Sequence, residues 1–231
     1  ENVALTCLQF KKKLIYTSSV ATLGTTASLS DESTKVDINE MIGDYKKSKY
    51  LAEKILKKLT NKNLQAIIVN PSTPIGPGDT KPTPTGKIIL DVLKKRMPAY
   101  VETGLNFVHV DDVAEGHFLA LKKGEVGERY ILGGENINLK DFLDQVSEVG
   151  NVPKVGLKIN ANYLIPFAVL NEWLCKFILP RSPRLTLDSL KMSSKKMFFT
   201  SEKAKKKLGY RPRPAKNAIK DAVLWMNEYF K

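Results

Sequence analysis

Tyr45 and Lys49 stand four residues apart in Gly43-Asp44-Tyr45-Lys46-Lys47-Ser48-Lys49-Tyr50-Leu51-Ala52-Glu53. The stretch reads as the opening of a helix, so the two side chains share a face one turn apart. A tyrosine hydroxyl releases its proton only near pH ~10 and is a poor base at neutrality. An ammonium held beside it favours the phenolate and makes the phenol a usable acid/base. Upstream, Leu14-Ile15-Tyr16-Thr17-Ser18-Ser19 is an apolar run ending in hydroxyls, as a buried parallel strand ends at a site. A serine there is placed to hydrogen-bond the substrate oxygen that the tyrosine protonates.

A Tyr-x-x-x-Lys spacing also arises by chance on the solvated face of any lysine-rich helix, and its surroundings decide between the two readings. The serine precedes the tyrosine, strand before helix. Further on come Ala66-Ile67-Ile68-Val69-Asn70-Pro71-Ser72-Thr73-Pro74-Ile75-Gly76-Pro77-Gly78-Asp79 and Asn106-Phe107-Val108-His109-Val110-Asp111-Asp112-Val113-Ala114-Glu115-Gly116-His117. The chain closes with Lys205-Lys206-Lys207-Leu208-Gly209-Tyr210-Arg211-Pro212 and a helix containing Trp225. Together these resemble the short-chain dehydrogenase/reductase superfamily, extended branch. Within it, residues 70–86, Met97-Pro98-Ala99-Tyr100-Val101 and Lys195-Lys196-Met197-Phe198-Phe199 most resemble the hopanoid-associated sugar epimerases, also labelled dihydroflavonol-4-reductase-like.

The resemblance implies a site and a cofactor, NAD or NADP. Tyr45 would exchange a proton with a hydroxyl or carbonyl oxygen while hydride moves between its carbon and the nicotinamide. Ser19, rather than Ser18, takes the reactive position by its distance from Gly24, and Lys49 would serve Tyr45 and the nicotinamide ribose together. The cofactor set implied is Ser18, Tyr45, Lys49, Pro71, Ser72 and Thr73; the substrate set is Ser19, Val20, Tyr45 and Thr73. The substrate would be a sugar, a lipid-linked sugar or a flavonoid-like carbonyl compound. Sugar dehydratases of this superfamily carry an acidic pair after the serine or threonine; Val20-Ala21 stand there, against dehydration. Epimerase and carbonyl reductase both remain open, because they share these groups. His109 and Asp111 are read as structural, with Asp111 and Asp112 capping a helix.

Composition bounds the rest. With 231 residues, 42% apolar and 26% charged, the chain is an ordinary globular protein of one large domain or one domain with a lobe. The net charge of +13 raises nucleic-acid binding. The lysines are nevertheless spread over many segments, without an aromatic-interleaved stripe or zinc-ligand spacing, so nucleic acid is not expected as a partner. Two histidines complete no metal set, and two distant cysteines fit reduced thiols in the cytoplasm. The most apolar stretch, 163–179, is too short and too polar to span a bilayer. It leaves an amphipathic helix against the core, a substrate or a membrane surface. A homodimer is compatible with the resemblance.

The elements that must position these groups follow in order. A helix end over 1–10 feeds the strand at 13–19, and a polar loop over 20–41 is long enough to fold across a substrate. A helix runs from Asp44 as N-cap to 59 or 60, followed by strand 64–69, a helix within 82–96, strand 107–110, a helix to 123 and strand 129–132. Asn138 through Asp141 reads as a capping box opening a helix to 149. Past 150 the strand–helix rhythm stops: 152–159 is extended, and helices are expected over 161–178, 185–191, 201–208 and 214–229. The fold class expected is α/β, the C-terminal part of a doubly wound NAD(P)-binding Rossmann-like parallel sheet plus a smaller, mostly helical substrate lobe. Residues 1–150 form the partial nucleotide domain, with 73–98 lent to the lobe, and 151–231 form the lobe.

No G-x-G-x-x-G or G-x-x-G-x-x-G occurs in the 231 residues, and Gly76 and Gly78 follow a strand in a Pro-rich loop. On the order of 90 residues, three βα units, are expected to be absent ahead of Glu1. A reading from another class therefore stands beside the enzyme: an inactive fragment or binding module with an uncovered sheet edge.

Overall fold

The computed structural model describes residues 1–26, 29–38, 41, 43–160, 163, 165–167, 169, 171, 175 and 196–231. Three parallel strands carry the site: β1 (Leu14–Thr17), β2 (Ala66–Pro71) and β6 (Arg129–Leu132), in the order β1-β2-β6. Leu14 sits opposite Ala66 and Thr17 opposite Val69, while Ile68 through Pro71 face Arg129 through Leu132. Every residue of β2 is buried, as a strand covered on both faces must be.

The faces divide by alternation. Leu14, Tyr16, Ala66 and Ile68 pack with α1 (Asn2–Gln9) and α2 (Asp44–Thr60), through Ala4, Leu8, Leu56 and Leu59. Ile15, Ile67 and Val69 pack on the other side with α4 (Val110–Lys123) and α6 (Glu202–Leu208), through Val113, Ala120, Ala204 and Leu208. Among the described residues β1 pairs with β2 alone. Leu14, Ile15 and Tyr16 are only half-buried, Leu5, Leu51, Phe118 and Leu121 are exposed on the helices, and Phe10 is exposed just past α1.

A second sheet joins β3 (Thr73–Ile75), β5 (Gly104–His109) and β7 (Glu135–Asn138), parallel then antiparallel. Against it lie α3 (Pro84–Leu93), α5 (Leu139–Gly150) and α7 (Ala215–Tyr229), which build the largest core around Ile89, Phe107, Phe142, Val146, Ile219 and Val223. Phe107 stacks on Phe142 with ring centroids 4.2 Å apart and is fully buried. Phe107→Ala is expected to lower unfolding stability by about 3–5 kcal/mol, read from the urea midpoint. A short ladder, β4 (Ala99–Tyr100) with β8 (Leu157–Lys158), completes the strands.

Among the described residues the expected helices stand where periodicity placed them, with corrections at their ends. Gly43, at φ +86°, occupies the N-cap of α2, and Asp44 is its first residue with no capping bond. At α4 the cap is His109, whose Nδ1 accepts the Asp111 N–H at 3.1 Å, in place of Asp111 or Asp112. A neutral imidazole offers one acceptor nitrogen, and here it points back at the helix. Asp112 instead receives the Arg213 backbone N–H and Nε, at 2.8 and 2.9 Å. At α5 the Asn138 side chain makes no cap and meets Asp141 at 3.4 Å. The expected helix 185–191 lies outside the described residues, as does most of 161–178.

The loop after β1 is less open than its composition suggests. Ser30 bridges to Phe199, and the half-buried Glu32 carboxylate accepts the Ile131 N–H at 2.8 Å. That burial raises the Glu32 carboxyl above its ordinary range. Among the described residues no helix is long and apolar enough to cross a membrane.

Candidate active site

Helix α2 presents Tyr45 in its first turn and Lys49 one turn later, over the carboxyl end of β1. The Lys49 Nζ donates to the Thr17 carbonyl oxygen at 3.2 Å. The same ammonium stands 6.0 Å from the Tyr45 ring centroid and 5.7 Å from that of Tyr16. A strand's last carbonyl lacks a ladder partner, so it accepts a cation readily. Tyr45 is 61% exposed, its hydroxyl open to an incoming ligand. Below it, burial, the Glu53 carboxylate and Tyr45 push the Tyr16 phenol above its ordinary value, burial contributing most.

Ser19 has extended backbone and caps a single 3-10 turn, Val20–Thr22. Its Oγ accepts the Ala21 N–H at 3.1 Å, so the hydroxyl proton is left to donate to an outside oxygen. The carbonyl of Ser19 is held as well, by Asn70 Nδ2 at 2.9 Å and the Thr22 hydroxyl at 2.8 Å. Val20 packs its side chain into a cluster with Leu23, Ile131 and Phe199. A substrate would therefore meet Val20 through its backbone.

Ser18 is buried beside it, its N–H donating to the Val69 carbonyl. On the neighbouring strand, Pro71 ends β2, the Ser72 N–H donates to the Leu132 carbonyl, and Thr73 opens β3 opposite Phe107. The carboxyl ends of β1 and β2 thereby hold three buried polar atoms with no protein partner: Ser18 Oγ, Asn70 Oδ1 and Ser72 Oγ. Buried hydroxyl and amide groups without partners are costly, and in native proteins they are met by water or a ligand. Such an edge, polar and lined by backbone at strand ends, fits the amide and ribose of a nicotinamide nucleotide.

His109 lies apart from this edge as a buried support. Its Nε2 is 3.2 Å from Asp221, and its Nδ1 caps α4. His117 faces the site's rim: its Nδ1 meets the Val113 carbonyl at 2.7 Å and its Nε2 meets the Thr17 hydroxyl at 2.8 Å. The first contact requires a proton on Nδ1, so in the neutral ring Nε2 accepts from Thr17.

Sequence reasoning passed over Glu53, Asn70 as a side chain, Thr22 and Tyr16. Glu53 carried a signal, since it lies one further turn along the Tyr45–Lys49 face. Its Oε1 is 2.9 Å from Asn70 Nδ2 and 2.8 Å from the Thr22 hydroxyl.

The sequence profile of the NAD dependent epimerase/dehydratase family matches residues 2–133. A putative dihydroflavonol 4-reductase from Synechocystis sp. is 42% identical over 226 residues, an alignment that takes in 94% of this chain. This chain spans 65% of the length of that relative. The crystal structure of gox2253 superposes with a TM-score of 0.85 at 52% identity, covering 99% of this chain and 70% of that one. A UDP-glucuronic acid 4-epimerase from Bacillus cereus, crystallised with NAD, shares the fold at a TM-score of 0.72 and 15% identity, over 100% of this chain and 66% of that one. The parallel sheet flanked by helices is the Rossmann-type scaffold of such enzymes, and the chain belongs to the NAD dependent epimerase/dehydratase family.

Proposed function

We propose that the protein serves an NAD(P)-dependent epimerase or oxidoreductase reaction at a carbon bearing a hydroxyl or carbonyl group, through Ser19, Tyr45 and Lys49. The observation that carries this reading is the Lys49 ammonium, held on the Thr17 carbonyl at 3.2 Å and 6.0 Å from the Tyr45 ring. A nicotinamide nucleotide, when bound, supplies or takes up the hydride. Ser18, Ser72 and Thr73, with the backbone at Pro71, would hold its nicotinamide end, and Lys49 its ribose hydroxyls. Tyr45 transfers a proton at its phenol oxygen, eased by the ammonium beside it. Ser19 donates its free hydroxyl proton to the same substrate oxygen and fixes its direction. Nothing acidic follows Ser19, where Val20 and Ala21 stand, so no carboxylate is at hand there for an elimination.

The reductase version is favoured by the relative named dihydroflavonol 4-reductase at 42% identity, and the epimerase version by the fold shared with a sugar-nucleotide epimerase. Cofactor stoichiometry separates them: a reductase consumes one NAD(P)H per turnover, whereas an epimerase returns its hydride. Cys7 and Cys175, both free and half-buried, support a cytoplasmic setting.

The direct test is Lys49→Met in a form of the protein that binds the dinucleotide. The methionine keeps the bulk and removes the charge. The expected result is about a hundredfold fall in turnover, together with about tenfold weaker cofactor binding from the lost charged hydrogen bond. Unchanged turnover and affinity would overturn the assignment of Lys49.

A further inference from the structure

Glu53 is 3% exposed, a carboxylate inside the protein on the helix that carries Tyr45 and Lys49. Burying a carboxylate is costly unless it is fully partnered. Here Asn70 Nδ2 and the Thr22 hydroxyl converge on Oε1 at 2.9 and 2.8 Å. The Arg129 guanidinium forms an ion pair with Oε2 at 3.1 Å, although Oε2 accepts no aligned hydrogen bond. The same Asn70 and Thr22 groups also reach the Ser19 carbonyl, at 2.9 and 2.8 Å. An amide nitrogen has two protons and a hydroxyl one. Asn70 Nδ2 also reaches the Thr22 hydroxyl oxygen, at 3.1 Å, so three protons are shared among three oxygens: Glu53 Oε1 on helix α2, the Thr22 hydroxyl, and the carbonyl of the serine that begins the 3-10 turn.

We propose that Glu53 is a positioning residue, which through Asn70 and Thr22 sets the placement of the Ser19 turn against the Tyr45–Lys49 helix. The inference rests on the proposed roles of Ser19, Tyr45 and Lys49. The wiring also fixes the amide of Asn70: turned over, it would set its oxygen against Glu53 Oε1 and the Ser19 carbonyl. A second consequence concerns Lys49. Glu53 is its i+4 neighbour, the spacing at which a glutamate draws a lysine toward itself on a helix surface. Turned inward to Asn70, Thr22 and Arg129, the carboxylate leaves the ammonium on Thr17 beside Tyr45.

Glu53→Gln tests this with little change of shape. One amide oxygen can still accept from Asn70, but the NH2 group then opposes either Arg129 or the Asn70 and Thr22 donors. Amide hydrogen exchange on the 231-residue chain is expected to quicken about tenfold at Ala21, Thr22 and Leu23, the loss of about one such bond. The α7 core amides of Ala218 and Val223 keep their rates. Acceleration of all five amides by one common factor, or of none, would overturn the proposal, because a merely stabilising residue acts globally. Thr22→Val, which removes one shared proton at constant shape, is expected to accelerate the same turn and serves if the glutamine variant does not fold; an unmoved turn there also counts against the proposal.

In a dinucleotide-binding form, Glu53→Gln is expected to lower kcat about a hundredfold through misplacement of the serine, with the KM for NAD(P)H unchanged. Turnover that survives Glu53→Gln yet is abolished by Tyr45→Phe would sink the positioning role and leave the catalytic reading intact. Turnover that survives Tyr45→Phe would remove the catalytic reading and with it the role proposed for Glu53, whatever the exchange rates show.

Discussion

Tyr45→Phe is expected to cut turnover by between about 10²- and 10⁴-fold while leaving cofactor affinity within about twofold. The measurement is steady-state hydride transfer beside a cofactor titration, in a form of the protein that binds the dinucleotide. The substitution removes one oxygen and its proton from a ring that is 61% exposed, so little packing is lost with it. The ring keeps its place 6.0 Å from the Lys49 ammonium, and Lys49 keeps its bond to the Thr17 carbonyl. What disappears is the group that moves a proton at the substrate oxygen. Ser19 can still donate a hydrogen bond there, but its hydroxyl has no base beside it among its observed contacts: Oγ meets only the Ala21 N–H. Turnover unchanged in the phenylalanine variant would leave the site without an acid/base and remove the proposed reaction.

The pair that carries this prediction is legible in the sequence because its geometry is local. Four residues of a helix place Tyr45 and Lys49 on one face whatever else the chain does. The end of β1 is legible for a similar reason, since an apolar run that turns into hydroxyls needs no distant partner to be noticed. Glu53 is different. Its carboxylate is explained by Asn70, Thr22 and Arg129, which come together only when β1, β2 and β6 lie side by side. The α4 cap shows the same limit: sequence offers Asp111 and Asp112 as candidates, and the cap is His109. Asp112 is withdrawn by Arg213, roughly a hundred residues further on. Strand β7, Glu135–Asn138, has no apolar alternation at all and exists through its antiparallel pairing with β5.

The same physics sets an expectation for the 231-residue chain by itself: no saturable NAD(H) binding below about 1 mM in a fluorescence titration. The nicotinamide end has a polar edge, at Ser18, Asn70 and Ser72. The pyrophosphate end needs unengaged backbone N–H groups at a helix N-terminus, opened by glycines that let the backbone approach. Apart from α1, whose first turn has neither an acidic side chain nor a side-chain cap bond, the helix starts described here are otherwise engaged. Asp44 lies in the first turn of α2, Asp111 and Asp112 in that of α4, Asp141 in that of α5 and Glu202 in that of α6. At α3 the Thr83 hydroxyl accepts the Gly86 N–H, and at α7 Glu135 accepts the Ala215 N–H. A carboxylate at such a position satisfies the helix dipole itself and repels a phosphate. The difference between a micromolar and a millimolar complex is about 4 kcal/mol, on the scale of the two or three charge-assisted bonds a pyrophosphate would forgo. Saturation near 1 µM would show that this chain cradles the phosphates in a way its helix termini do not suggest. Failure to bind, reversed when a Gly-rich strand–turn–helix is joined ahead of β1, would place the missing affinity in that unit.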